Sequence, residues 1–365
     1  MREQERVQGQ TLPQSVTPNG AWGDAELRRR ADLALPMAIR VAATLRLADH
    51  IADGGSPAGE LADRLRVDPD ALERLLRYLA TEGILAEDAS GRYRLTPLGR
   101  PLRETHPQSV RRVLDIEGAL GRAELTFVEL LHTVRTGRAA YAARYGRPHW
   151  QDMEENPELA AGFDALMSTR MTACLPAIIR ALDWGALGHV VDVGGGDGRL
   201  LATLLAEFPL LRGTLVERPG PAAAARAFLA KTGAADRSQV TEGDFFGPLP
   251  PGAGGYLLVN VLHNWDDPAC LAILRRCREA AGGSGRVFVI EHLRTAGSAP
   301  RAALDLRMLL LFGGSQRSLP EIAALAASTG LDLHGVRPAE ELTVLEFRPA
   351  AVEPELTRGA ESPRT

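Results

Sequence analysis

Lysine is almost absent: of 42 lysine and arginine residues only Lys231 is a lysine, a matter of codon preference rather than function. Charge of one sign is not in surplus either. Against 46 acidic residues the formal net charge is −4, which gives no general attraction for nucleic acid or an anionic membrane. Cysteine is scarce. Cys174, Cys270 and Cys277 form no Cys-x-x-Cys pair. Seven residues along a helix would hold the last two about 10 Å apart, too far for a disulfide. They read as small buried hydrophobes in a reduced cytoplasm, the expected location. No apolar run reaches the ~18 residues of a membrane span. The first twenty residues contain no apolar run at all, which excludes a secretory signal there.

What is present suits two folded domains. The chain has 365 residues, 45% of them hydrophobic. Residues 1–22 and 350–365 are polar and proline-containing and read as disordered tails. Residues 23–105 have a helical pattern: two helices over 24–35 and 36–52, a short one over Glu60–Leu65, then Ala71–Glu82 behind the Asp68 cap and Pro69. Leu72, Leu75, Leu76 and Leu79 make one buried stripe. Gly83 ends that helix, and Ile84–Glu87 with Gly91–Leu95 form a hairpin, so the module is an all-α winged helix with a short wing. Such modules often bind DNA. Here eight arginines between Glu60 and Arg103 are matched by eight acids, leaving nothing to neutralise phosphates, and an interaction or dimerisation role is expected instead.

Residues 106–185 read as a helical linker with active-site helices. Phe163, Leu166, Met167 and Met171 share a helix face that is either ordinary core or a cover over a ligand. On the second reading Met171 meets a cofactor and Met167 a substrate. From 186 to 349 strands and helices alternate. Strands are expected at Val190–Val193, Gly213–Glu217, Gln239–Glu242, Gly255–Leu262 and Arg286–Glu291, with helices at Arg199–Glu207, Pro221–Thr232 and Pro268–Ala281. That is an α/β, Rossmann-like, mainly parallel sheet, closed by a hairpin of Leu331–Arg337 and Glu341–Phe347.

The loop after the first of these strands is Asp192-Val193-Gly194-Gly195-Gly196-Asp197-Gly198. It lacks the third glycine of a dinucleotide fingerprint, where Arg199 stands, and the Gly-Lys-Ser/Thr of a phosphate loop. Its carboxylates would repel pyrophosphate and attract a ligand carrying sulfonium and ammonium charges. Glu217 ends the next strand, where a carboxylate can accept hydrogen bonds from ribose hydroxyls. Asp244 can accept an adenine amino hydrogen while Phe245 gives the ring an apolar face. His263 follows the fourth strand and can take a phenol proton near neutral pH; Glu291, ending the neighbouring strand, can orient the imidazole. All five polar groups fall at carboxyl ends of strands, the edge where open α/β sheets bind ligands.

Over roughly residues 24–348 the chain resembles the class I methyltransferases that O-methylate plant phenolics and bacterial aromatic polyketides. The resemblance rests on Asp192–Gly198, Glu217, Gly243–Phe246, His263–Asp267 and Glu291. It implies an N-terminal winged-helix dimerisation domain and hence a homodimer. It also implies an S-adenosyl-L-methionine cofactor, released as S-adenosyl-L-homocysteine, and no metal. Asp192, Gly194, Gly196, Glu217, Asp244 and Phe245 would hold the cofactor; His263 would be the base and Glu291 its partner. Many members have a second glutamate after a Gly-Gly pair, but here Gly313-Gly314-Ser315 leads to Gln316, which carries no charge. The segment Leu304–Leu309 with Phe312-Gly313-Gly314 looks closest to enzymes that tailor anthracyclines, and implies an acceptor pocket lined by Asn264, Asp305 and Met308. Some enzymes of that branch hydroxylate or decarboxylate instead. The presence of His263 favours methyl transfer to an aromatic hydroxyl.

Overall fold

A computed structural model describes residues 25–294 and 299–350; the two tails expected at 1–22 and 350–365 lie outside the described residues, apart from Ala350. The chain forms two compact units, divided between Ser109 and Val110.

In the first unit the leading segment breaks into three helices rather than two, Ala25–Ala31, Ala34–Thr44 and Leu47–His50. The break after Thr44 is made by Arg46, whose backbone takes a left-handed turn at φ 54°. Helices Ala58–Leu65 and Pro69–Thr81 follow. Asp68 caps the second by accepting the amide hydrogen of Ala71 at 2.8 Å, and Leu72, Leu76 and Leu79 are buried. This unit is not all-α. Strand β1 (Ser56–Pro57), too short to carry an alternation pattern, pairs with β3 (Arg92–Leu95), which pairs in turn with β2 (Leu85–Glu87) in an antiparallel sheet. The β2–β3 turn is held by Asp88, whose Oδ1 accepts from the backbone amides of Ser90 and Arg92 at 2.9 and 3.1 Å.

The second unit opens with short helices between Arg111 and Glu155, then the long helix Pro157–Arg180. Its sheet has seven strands. β4 (His189–Val193), β5 (Arg212–Glu217), β6 (Ser238–Glu242), β7 (Gly255–Val259) and β8 (Arg286–Glu291) run parallel, in the order β6-β5-β4-β7-β8. β9 (Leu331–Ala339) and β10 (Leu342–Pro349) form the expected hairpin, with β10 antiparallel to β8. Helices Arg199–Glu207, Pro219–Lys231, Asp267–Ala281, Ala299–Phe312 and Leu319–Ala327 connect or cover the strands. Apolar side chains fill both faces. One cluster includes Ile178, Trp184, Leu201 and Phe288; the other includes Tyr256, Leu274, Val287 and Phe347.

One strand is shorter than its apolar run suggested. Gly255–Leu262 was expected to continue through Leu262, but β7 ends at Val259. Asn260 turns left-handed at φ 54°, a conformation asparagine tolerates, and Leu262–Asn264 is a single 3₁₀ turn. That turn lifts His263 clear of the sheet edge. Strand order reverses on either side of β4, so a crevice opens beyond the carboxyl ends of β4, β5 and β7.

Candidate active site

The glycine loop is shaped by the carboxylate beneath it. Asp192 lies in β4 and is 1% exposed. A Cβ on Gly195 would stand 2.4 Å from Asp192 Oδ2, so only glycine fits there. Gly194 and Gly196 take φ of 74° and 58°. Gly194 donates its amide hydrogen to Val216 O at 2.9 Å, and a Cβ on it would press on Phe245 Cε1 at 3.2 Å. Gly196 N points at Glu217 Oε2, 3.4 Å away, while Glu217 Oε1 accepts from Arg218 N at 2.8 Å.

The cleft holds more acid than its bases balance. Asp192 Oδ2 has no hydrogen-bond partner, and burial, with Glu217 adding repulsion, pushes its carboxyl up to about 7. Asp164, on the long helix, is raised to about 6 by burial and then by Glu217, with Arg218 opposing and Asp197 adding. Asp197 itself is neutralised within the protein. Its Oδ2 accepts from Ser168 Oγ at 2.7 Å and from Arg199 Nε at 2.9 Å, and Arg199 Nε also reaches Ser168 Oγ. Of the two loop carboxylates, Asp192 alone is thus left without a cation. Met167 and Met171 are half-buried on the long helix, Met171 packed against the core cluster that includes Ile178 and Leu201. Asp244 is exposed, its Oδ1 accepting from the amides of Phe246 and Gly247 at 2.8 and 3.0 Å. Phe245 stands edge-on to Phe246 and Trp265, with ring centres 5.2 and 5.8 Å away.

Across the crevice the histidine and its carboxylate meet. Val259 of β7 is level with Ile290 of β8, so the residues that follow each strand emerge side by side. His263 Nδ1 lies 2.5 Å from Glu291 Oε2, and the His263 backbone amide donates to Oε1 at 3.3 Å. The glutamate is buried, and the imidazole side chain is 14% exposed. With Nδ1–H donating to the carboxylate, Nε2 keeps a lone pair directed away from Glu291.

The remaining expected residues gather beside this pair, some of them already engaged. Asn264 Nδ2 donates to Asn260 O at 3.2 Å, and Met308 is buried. Asp305 Oδ1 accepts the Gln316 amide hydrogen at 2.6 Å, so one of its oxygens holds the loop. Gln316 is buried and neither amide atom of its side chain has a partner.

Two further residues escape sequence reasoning. Asp164 had no motif around it. Arg317 grips the histidine turn from below: it donates to Leu262 O at 3.0 Å, to Trp265 O at 2.8 Å and to Asp267 Oδ1 at 2.7 and 2.9 Å. The fork thereby ties both ends of the turn bearing His263 to one rigid plane. Asp267 is consequently taken by Arg317, and the helix cap falls to Asp266, which accepts from Ala269 N at 3.0 Å.

Comparison with known proteins identifies the family. The family model for an O-methyltransferase domain matches residues 127–332, and that for an O-methyltransferase dimerisation domain matches 31–105. The chain is 49% identical over 321 residues to the 2,7-dihydroxy-5-methyl-1-naphthoate 7-O-methyltransferase of Streptomyces carzinostaticus, covering 88% of this chain and 96% of that one. It is 46% identical over 336 residues to the aclacinomycin 10-hydroxylase RdmB of Streptomyces purpurascens, covering 89% and 90%. The O-methyltransferase NcsB1 from neocarzinostatin biosynthesis, solved with S-adenosylmethionine and 2-hydroxy-5-methyl naphthoic acid, superposes with a TM-score of 0.85 at 48% identity, covering 90% and 99%. The chain belongs to the family of S-adenosylmethionine-dependent O-methyltransferases.

Proposed function

We propose that the protein methylates a hydroxyl of a fused-ring aromatic acceptor, a polyketide or related phenolic, with His263 as general base and Glu291 as the group that orients it. The observation that carries this reading is the 2.5 Å contact of His263 Nδ1 with buried Glu291, at the crevice beside the glycine loop. A phenol ionises only near pH 10, so a base that accepts its proton as it attacks makes a weak nucleophile competent. Glu291 supports the imidazolium that results and returns the ring to one tautomer.

S-adenosylmethionine, when bound, supplies a methyl group on a positively charged sulfur. The residues present fit such a ligand: an unpartnered buried carboxylate oxygen on Asp192, a second acid at Asp164, and left-handed backbone at Gly194 and Gly196. Gly194 and Gly196 would let the chain pass beside the cofactor. Glu217 would accept the ribose hydroxyls, and Asp244 and Phe245 would meet the adenine, with Met171 against the opposite side. Met167, Asn264, Asp305 and Met308 would line the acceptor. Residues 31–105 would join two copies into a homodimer. The cytoplasm would be its compartment; among the described residues no helix is long and apolar enough to cross a membrane. With its basic and acidic residues balanced, the small unit has no evident use for nucleic acid.

Mass spectrometry of reactions with S-adenosylmethionine and a panel of naphthols tests the reading. One added methyl per acceptor is the expected result. One added oxygen, dependent on a reductant, would move the protein beside its hydroxylase relative.

The acid cleft also sets a pH dependence. Asp192 and Asp164 hold protons in the folded chain that they would release near pH 4 when unfolded. Their contribution to apo stability therefore falls as pH rises from that value through about 6 and 7. A bound cation favours the ionised forms, so the rise in melting temperature caused by S-adenosylmethionine should grow from pH 5 to pH 8. S-adenosylhomocysteine, lacking the sulfonium charge, should show less growth. Equal, flat responses to both would remove these carboxyls from cofactor binding.

A further inference from the structure

Between the long helix Pro157–Arg180 and the end of helix Ala299–Phe312 lies an imidazole with nothing to bond to. His149 opens the helix His149–Glu155 and is 2% exposed, yet neither ring nitrogen has a hydrogen-bond partner. Four aromatic rings surround it edge-on or tilted: Tyr141 at 5.0 Å, Trp150 at 4.9 Å, Phe163 at 5.3 Å and Phe312 at 4.9 Å. Burial lowers its pKa to about 4, so the ring is neutral at physiological pH, with one donor and one acceptor. The one carboxylate on its own short helix that is also buried, Asp152, is taken by Tyr141 Oη at 2.6 Å and Arg122 at 3.0 Å.

Such a residue is costly as mere filling. A buried donor and acceptor without partners weaken the folded state, and a phenylalanine would suit four aromatic neighbours better. Trp150 Nε1 beside it is also buried and unpaired, and the Trp150 ring stacks on Phe312 at 5.0 Å with planes 13° apart. The box adjoins the reaction centre through the chain itself. Gly314 packs so closely on the His263 turn that a Cβ there would come within 2.2 Å of His263 O. Phe312, a wall of the box, is two residues earlier, no more than about 7 Å along the backbone. Phe163, another wall, stands one helical turn before Met167.

We propose that His149 is a second recognition group for the acceptor: its imidazole hydrogen-bonds an oxygen on a ring remote from the hydroxyl that faces His263. The acceptor class is then a fused aromatic carrying oxygens on two different rings, its flat faces met by Trp150, Phe163 and Phe312. This deepens the methyltransfer reading and rests on it.

Equilibrium binding tests the subsite independently of catalysis. The protein, saturated with S-adenosylhomocysteine, is titrated with 1- and 2-naphthol and with the 1,5-, 2,6- and 2,7-naphthalenediols. The wild type should bind at least one diol roughly ten- to a hundredfold more tightly than either naphthol, the range of a buried hydrogen bond. His149→Phe should erase that preference, bind the naphthols as well as before, keep its S-adenosylhomocysteine affinity and melt at a higher temperature. A wild type without preference overturns the proposal, as does a variant that retains the preference. A variant that melts lower and loses all the naphthols alike makes the residue structural and overturns it too. Binding with the preference but no methylation would leave the subsite standing and remove the methyltransfer reading instead.

Discussion

Replacing His263 with alanine is expected to lower turnover by about 10² to 10⁴, the range for loss of a general base, with cofactor affinity nearly unchanged. The asymmetry follows from the geometry. The imidazole is fixed through Glu291 at the end of β8, whereas the glycine loop and Glu217 belong to β4 and β5. Removing the ring takes away the proton acceptor but leaves the opposite wall of the crevice intact. Activity should not vanish. Methyl transfer is a direct displacement, and holding oxygen, carbon and sulfur in line supplies much of the acceleration by itself. The residual rate should climb with pH as the acceptor ionises unaided, which the wild-type rate should do far less. Steady-state kinetics from pH 6 to 10, beside calorimetric titration with S-adenosylhomocysteine, separates these effects. Full turnover at neutral pH in the alanine variant would leave positioning alone as the catalyst.

Glu217→Ala should do the reverse, weakening binding of S-adenosylmethionine and of its demethylated product by roughly ten- to a hundredfold, the scale of one or two charge-assisted hydrogen bonds. Turnover at saturating cofactor should stay close to wild type. Besides the contacts it would make, Glu217 ties the loop to β5: its two oxygens face the amides of Gly196 and Arg218. It also repels the charges of Asp192 and Asp164, so the variant should titrate both at lower pH. Unchanged affinity in calorimetry would dismiss the ribose assignment.

The strands and the glycine loop on one side of the crevice are legible in the sequence. Apolar runs located β4, β5 and β8, the glycines marked the turn after β4, and one carboxylate at each strand end followed from counting. His263 and Glu291 were also found, although 28 residues separate them, because parallel neighbouring strands bring their ends together. Errors arose where a local pattern competes with a turn. The apolar residues after Val259 continue the look of a strand, but Asn260 turns the chain left-handed there. In the small unit, β1 has only two residues and owes its existence to pairing with β3.

Periodicity, glycine placement and the alternation of strand with helix are properties of neighbouring residues, so the amino-acid order was enough for the sheet, its ligand edge and the histidine. The partners of individual side chains are decided by segments far apart in the chain. Ser168, on the long helix, donates to Asp197 in the glycine loop, while Asp192 Oδ2 is left without a partner. Arg317 reaches back fifty residues to hold the turn of His263, and Phe312 and Phe163 enclose His149 from two separate helices. No spacing rule encodes such meetings, because they depend on how packed elements cross, and packing exists only once the whole unit has folded.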